Sequence, residues 1–252
     1  MPTVTLLEKL YGDSSVKSVE SRLQAICGDL KITIHAEATE RSWIRVEIGG
    51  EDAAVAIRLI EKQFGLAPTD AAQVKEGFVY AGRVVSSQGN SAEMRVDLGV
   101  FFPSFFDAFI PLQHLQAQLV DGRKMPLQRI AKLFCLLDNF PLEVLIKSVE
   151  PLQKRFLVEL SEKQIMLFNG WVNSNLDRVV VLGAFFEKVE NVVKEAGHFR
   201  DVVEVESLGL LEQSIICKVG TDAAGLIPKI GKRLPRTVLG VFSPKEIMRY
   251  AV

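Results

Sequence analysis

The side chains best placed to do chemistry are cations and aromatic rings. In the run Gly225-Leu-Ile-Pro-Lys-Ile-Gly-Lys-Arg-Leu-Pro-Arg236, positive charge is concentrated among glycines. If its backbone is helical beyond Pro228, then Lys229, Lys232, Arg233 and Arg236 fall at i, i+3, i+4 and i+7 on one face. Such a stripe can track phosphates; a solvated face or interdomain ion pairs is the plainer alternative. A second set, Arg123, Lys124, Arg129 and Lys132, lies on or beside the polar side of an apolar-faced helix expected over residues 126–137. Third, Val100-Phe-Phe-Pro-Ser-Phe-Phe106 places Phe101, Phe102, Phe105 and Phe106 in one loop. Rings exposed there would stack on bases, each contributing ~1–3 kcal/mol. Packing against a neighbouring domain and docking a protein partner are the other uses of such a loop.

Groups for proton transfer or metal binding are not gathered. The three histidines, His35, His114 and His198, lie far apart, and no phosphate-binding glycine loop, zinc-protease or hydrolase nucleophile motif is present. Cys27, Cys135 and Cys217 are odd in number and widely spaced, so they read as buried thiols rather than disulfides or zinc ligands. A non-enzymatic protein without cofactors is expected. Lysine plus arginine number 30 against 31 acids, a net charge of −1 that leaves nucleic-acid affinity to local clusters rather than to the whole chain. There is neither a signal peptide pattern nor an apolar run long enough to span a membrane, and a soluble cytoplasmic protein is expected.

Three units must position these groups. Residues 1–70 read strand, helix, strand, strand, helix. Ser14 or Ser15 is the expected cap of the first helix, and Ala54, Ile57, Leu59, Ile60 and Phe64 form the apolar face of the second. Gly65 stops that helix, and residues 66–70 form a hinge. Strands at 77–85, 92–98, 107–112, 142–150 and 155–161 follow, with a turn at residues 86–90 and a helical insertion at 121–140. Residues 165–252 repeat the first order with one more strand. Gly50-Glu-Asp-Ala-Ala54 matches Gly220-Thr-Asp-Ala-Ala224, and Ile57, Ile60 and Lys62 align with Ile227, Ile230 and Lys232. Asp52 and Asp222 read as helix caps. The expected fold class is α+β: a central S1/OB-type β-barrel over residues 71–164, flanked by two βαββα(β) units of ferredoxin-like layout.

The central strands resemble an S1-type RNA-binding domain in their Val96-Asp-Leu-Gly99, Ala108-Phe-Ile-Pro-Leu112 and Arg155-Phe-Leu-Val-Glu-Leu-Ser161 segments. That resemblance implies single-stranded nucleic acid as ligand. The corner where such domains carry a histidine holds Pro111 here, and His114 follows three residues later. Gly170-Trp with Leu176-Asp-Arg178, and Gly220-Thr-Asp-Ala-Ala-Gly-Leu-Ile-Pro228, are similar to an uncharacterised archaeal family with a central S1-like domain. This second resemblance implies a domain arrangement and no activity. Two functions are therefore expected to compete: a non-catalytic RNA-binding protein of translation or RNA processing, with single-stranded or ribosomal RNA as partner, and an interaction scaffold on a ribosome- or polymerase-like complex.

Overall fold

The structure, a computed structural model, describes residues 1–11, 16–85 and 92–251. The expected Ser14/Ser15 cap and the turn at residues 86–90 lie outside the described residues. The N-terminal unit is β1 (Thr3–Lys9), α1 (Val16–Cys27), β2 (Ile32–Ala38), β3 (Trp43–Gly50) and α2 (Ala53–Phe64), with an antiparallel sheet in the order β1-β3-β2. Helix α1 buries Val19, Leu23 and Cys27, one stripe at the four-residue spacing read from the sequence. On α2 the buried stripe is Ala53, Ala56 and Ile60, and Leu59 is left 41% exposed because it falls outside that spacing.

Two local expectations are corrected. Asp52 occupies the N-cap position of α2 but makes no cap bond; its carboxylate accepts instead from the Lys31 amide at 2.8 Å, tying the start of the helix to the start of β2. Residues 66–70 are not a hinge. Leu6 bridges Leu66, the Ala67 amide donates to Thr5 O, and Asp70 bridges Phe102, so the segment is stitched to both β1 and the barrel. It stands where a fourth strand would add to the N-terminal sheet.

The barrel consists of β4 (Val79–Val85), β5 (Glu93–Val100), β6 (Phe106–Pro111), β7 (Pro141–Glu150) and β8 (Arg155–Leu160), closed in the order β4-β5-β6-β8-β7. Only β6 and β8 run parallel; the other pairs are antiparallel. Alternation along each strand sends Val84, Val96, Leu98, Ala108, Ile110, Val144, Ile146, Phe156 and Val158 into its core. Between β6 and β7 lie α3 (Leu112–Leu119) and α4 (Leu127–Leu133). Helix α4 is shorter than the helix expected over 126–137: Pro126 is its N-cap, and the chain turns at Phe134 before Cys135 takes a positive φ of 54°.

The C-terminal part comprises α5 (Glu162–Asn173), β9 (Arg178–Leu182), α6 (Phe186–Glu195), β10 (Val202–Ser207), β11 (Glu212–Cys217), α7 (Ala223–Gly231), β12 (Val238–Phe242) and α8 (Pro244–Ala251). Its sheet is antiparallel in the order β10-β11-β9-β12. Three element starts keep one offset from the N-terminal unit: Val16 and Phe186, Ile32 and Val202, and Ala53 and Ala223 are each 170 apart. Helix α5, absent from the sequence reading, is capped by Ser161 and carries Phe168 and Trp171. Phe168 meets Phe134 of the insertion at 5.5 Å, and Trp171 meets Phe242 of β12 at 5.1 Å. This aromatic cluster joins the barrel to the C-terminal sheet.

Candidate nucleic-acid interface

A buried ionic junction sets how the N-terminal unit meets the barrel. On β1, Lys9 Nζ donates to Asp97 Oδ2 of β5 at 2.7 Å. The indole of Trp43 donates to the same oxygen at 2.9 Å, and the Gly99 amide donates to Asp97 Oδ1 at 2.9 Å. One strand over, Arg83 of β4 pairs with Glu8 of β1 and, at 3.0 Å, with Glu212 of β11. Tyr11 donates its hydroxyl to Glu212 at 2.6 Å, and the Leu210 amide donates to Glu8 at 3.1 Å. All three units therefore meet at one guanidinium.

The junction is deeply buried, and its titration shows it. Burial pushes the Glu8 carboxyl up from 4.5 to about 8 against the pull of Arg83, with Glu212 adding to the rise. Lys9 is held below the ordinary lysine range because burial outweighs Asp97. Burial, then Glu212, pushes the Tyr11 hydroxyl up. Burial disfavours the Arg83 cation, yet Glu212 and Glu8 outweigh it and raise its pKa. With a second carboxyl across the same buried cation, Glu8 holds its proton more tightly than a free carboxyl does.

Next to this junction, arginines lie over phenylalanines along the β5–β6 side of the barrel. Arg45 of β3 sits over Phe101 at 5.4 Å, and Arg41, in the β2–β3 turn, over Phe105 at 4.1 Å. Arg155 of β8 lies over Phe109 of β6 at 5.9 Å. Asp107 pairs with Arg41 and lies 3.8 Å from Arg95. Phe109 is opposite Arg95 on β5 and opposite Leu157 on β8, so the outward row across three strands is arginine, phenylalanine, leucine. Arg95 Nε is buried with no acceptor among the described residues. The pairs of Arg41, Arg45 and Arg155 therefore combine flat apolar surface with guanidiniums held by carboxylates, which is what stacking bases and phosphates require.

The sequence-expected residues divide. Phe106 belongs to the barrel core, 6% exposed and 5.4 Å from Phe156, which corrects its place in the loop set. Phe101 is half-buried, and Phe102 and Phe105 stay 60% and 38% exposed. The loop backbone is fixed, since the amides of Phe101 and Phe102 both donate to Thr69 O at 3.0 Å. The stripe of Lys229, Lys232, Arg233 and Arg236 does not form on one helix. Helix α7 ends at Gly231, Lys232 is its C-cap, and Leu234 tucks into the core, so only Lys229 is helical. All four are exposed; Arg233 reaches Glu195 at 3.3 Å and Arg236 adopts a φ of 68°.

Arg123, Lys124, Arg129 and Lys132 are exposed too, although Arg129 lies over the Tyr250 ring of α8 at 4.0 Å. The groove beside Lys132 is lined by Asp177, Asp222 and Glu246, which place acids between the α4 cations and α7. His114, on α3, stands 3.8 Å from Glu159. Sequence reasoning missed Arg41, Arg45, Arg95 and Arg155. They alternate with apolar residues on strands or sit in a turn, and only the register places them beside phenylalanines. Among the described residues no group of three or more His, Cys, Asp or Glu is arranged to hold a metal ion, and no helix is long and apolar enough to cross a membrane.

Solved structures with remote likeness include the a/eIF2alpha-aDim2p-rRNA complex from Pyrococcus horikoshii OT3, 13% identical over 51% of this chain and 70% of that one, TM-score 0.27. Another is the intact alpha subunit of aIF2 from Pyrococcus abyssi, 8% identical over 67% of this chain and 97% of that one, TM-score 0.25. A third is a multidomain protein with nucleic acid binding domains from Streptococcus pneumoniae TIGR4, 9% identical over 71% of this chain and 57% of that one, TM-score 0.22. At such scores the functional reading has to rest on this chain's own geometry. No curated protein matches the chain. Residues 3–70 match the DUF2110 N-terminal domain and residues 176–242 the DUF2110 C-terminal domain, one on each side of the barrel. The chain belongs to the two-domain DUF2110 family.

Proposed function

We propose that this protein is a non-catalytic binder of single-stranded RNA, serving translation or RNA processing, with the β5–β6 side of the barrel as its contact surface. Five strands closed in the order β4-β5-β6-β8-β7 read as an S1/OB module, and the flanking units read as ferredoxin-like, the first lacking its last strand. In OB modules the second and third strands form the oligonucleotide face. Here those strands are β5 and β6. The observation that carries the proposal is the row of three arginine–phenylalanine pairs on that side. The choice of RNA over DNA rests on the S1-type strand sequences. The three histidines, on β2, on α3 and after α6, lie in different units, in keeping with a binding rather than a catalytic role.

The test is a fluorescence-anisotropy titration of labelled single-stranded and structured RNA at low salt, repeated at rising salt. Saturable binding to the single strand is expected, with log affinity falling linearly against log salt at about 0.7 per phosphate neutralised. Absence of saturable binding at low salt overturns the proposal. One observation favours the scaffold reading: Phe78, Phe102 and Leu152, at 59%, 60% and 100% exposure, all lie at the barrel end where β4 and β8 begin. A partner captured equally well from nuclease-treated and untreated extract would favour that reading.

A further inference from the structure

Between the N-terminal unit and the barrel is a cavity of about 220 Å³ that belongs to neither alone. It is lined by Thr39, Glu40, Arg41, Trp43 and Arg45 from the β2–β3 hairpin, and by Asp97, Gly99, Val100, Phe101 and Phe105 from the barrel. Its size is below the ~300–1,000 Å³ of sites that take drug-sized molecules. That space suits one planar heterocycle rather than an extended ligand.

The walls are of two kinds. The deep side is rigid and already satisfied. Trp43 is 2% exposed and bonded to Asp97, and Asp97 takes three donors, from Lys9, Trp43 and Gly99. Gly99 has a φ of 79°, and a Cβ there would meet the Ala67 Cβ at 2.7 Å, so the floor is close-packed. The outer side offers two phenylalanine rings, each under a guanidinium whose charge is held by an acid: Arg41 by Asp107, and Arg45 by Glu37 at 3.2 Å. Glu40 differs from every other charged group in the lining. It is exposed and has no hydrogen bond or ion pair among the described residues.

We propose that this cavity takes a single unstacked guanine of the bound strand, stacked on the Arg41 guanidinium that Phe105 supports from beneath, with Glu40 accepting from its base edge. Bases splayed from single strands are held by aromatic rings and arginine planes and read on their Watson–Crick edges. A carboxylate is acceptor-only and can take two donors side by side. Guanine presents its N1–H and N2–H₂ donors together on that edge; adenine and cytosine offer a single amino group beside a ring acceptor, and uracil one N–H between two carbonyls. Asp97 is 1% exposed and already bonded to Lys9, Trp43 and Gly99, so selectivity falls to Glu40.

The inference rests on the RNA-binding reading. Its test uses the full chain and labelled 12-nucleotide strands of A, C or U, each with and without one central guanine. The guanine-bearing strands are expected to bind about tenfold tighter, the discrimination of one good paired contact. Glu40→Gln should erase that preference, and by removing a negative charge beside the strand it should raise affinity for guanine-free strands slightly rather than lower it. Phe105→Ala should weaken the guanine-bearing strands by about 5- to 150-fold, and Phe105→Tyr should preserve them. Thermal midpoints within a few degrees of the parent show that these partly exposed positions have not unfolded the protein. Saturable binding with no guanine preference, or a preference that survives Glu40→Gln, overturns the inference and leaves RNA binding standing. No saturable binding to any strand at low salt overturns both.

Discussion

The β5–β6 side and the stretch from Lys229 to Arg236 both present clustered cations, yet they are built in opposite ways. On the barrel side, Arg41, Arg45 and Arg155 each lie over a phenylalanine ring, and all three are oriented by a carboxylate. Their backbone belongs to strands or to a tight turn between them. In the C-terminal stretch the helix ends at Gly231, and Lys232, Arg233 and Arg236 extend from turns. An ordered cation with a flat apolar partner loses little side-chain entropy when it meets a base, whereas an exposed one such as Lys232 has more rotamer freedom to lose. The first surface is suited to recognition and the second at most to long-range attraction. Under the proposed function, charge density and side-chain order rank the two surfaces oppositely.

That ranking breaks first if the junction beneath the barrel surface is not what holds it. Arg83 is 3% exposed and faces both Glu8 and Glu212. Arg83→Met removes the cation and leaves two buried carboxyls, and loss of one partner from such a set costs about 3–5 kcal/mol. Denaturant melts at pH 8 should show that loss, and the deficit should shrink towards pH 5 as Glu8 protonates. RNA affinity should fall with it. Equal stability of variant and parent at pH 8 would mean that Arg83 does not hold the N-terminal unit to the barrel.

The same junction gives the molecule a pH dependence of definite sign. Because the folded pKa of Glu8 is raised from 4.5 to about 8, the native state keeps a proton that the unfolded chain has released. Stability from this group is complete below about pH 4.5 and is lost as pH rises through 8. Thermal midpoints should therefore decline from pH 5 to pH 8, and Glu8→Gln should flatten that decline. A profile unchanged by the substitution would place the proton elsewhere.

Binding measurements sharpen the comparison directly. Phe109→Ala removes a stacking ring from the middle of the barrel row and should cost about 1–3 kcal/mol of RNA affinity with the salt slope unchanged. Lys229→Ala combined with Lys232→Ala should do the reverse, lowering the slope by about 0.7 for each phosphate no longer neutralised, while affinity at high salt holds. If the lysine pair costs more affinity at high salt than the ring does, the recognition surface is the C-terminal one.

How much of this could be read from the sequence depended on distance along the chain. Barrel strands were legible because core residues such as Val96, between Arg95 and Asp97, Val144, after Glu143, and Val158, before Glu159, alternate with polar neighbours. The repeat was legible because Gly50–Ala54 and Gly220–Ala224 align with no gap. Arg83 sits in a segment correctly read as a strand, but nothing local marks it as buried, since Glu8 lies 75 residues away and reaches it only through the packing of two domains. The Arg41–Phe105 pair is hidden in the same way: the ring stands out in a phenylalanine-rich loop, and its guanidinium belongs to a distant turn. Helix α5 is hard to read because Gly170 interrupts it, although Ser161, whose side chain accepts from the Gln164 amide, and the Phe168–Trp171 spacing are in plain view.

The finest distinction concerns the two helix caps, which stand at equivalent places in the repeated units and do different work. Asp222 accepts from the Ala224 amide at 3.1 Å and caps α7, the helix that carries Lys229. Asp52 makes no such bond and instead holds the Lys31 amide. Asp222→Ala should thus cost ~1 kcal/mol, as loss of a cap does, and raise amide exchange at the first turn of α7. Asp52→Ala should raise exchange at Lys31 and leave the first turn of α2 as it was. Neither change touches an arginine–phenylalanine pair, so RNA affinity should stay within about twofold of the parent in both. A loss of affinity confined to Asp222→Ala would show that α7 takes part in binding, and would move the recognition surface towards the C-terminal unit.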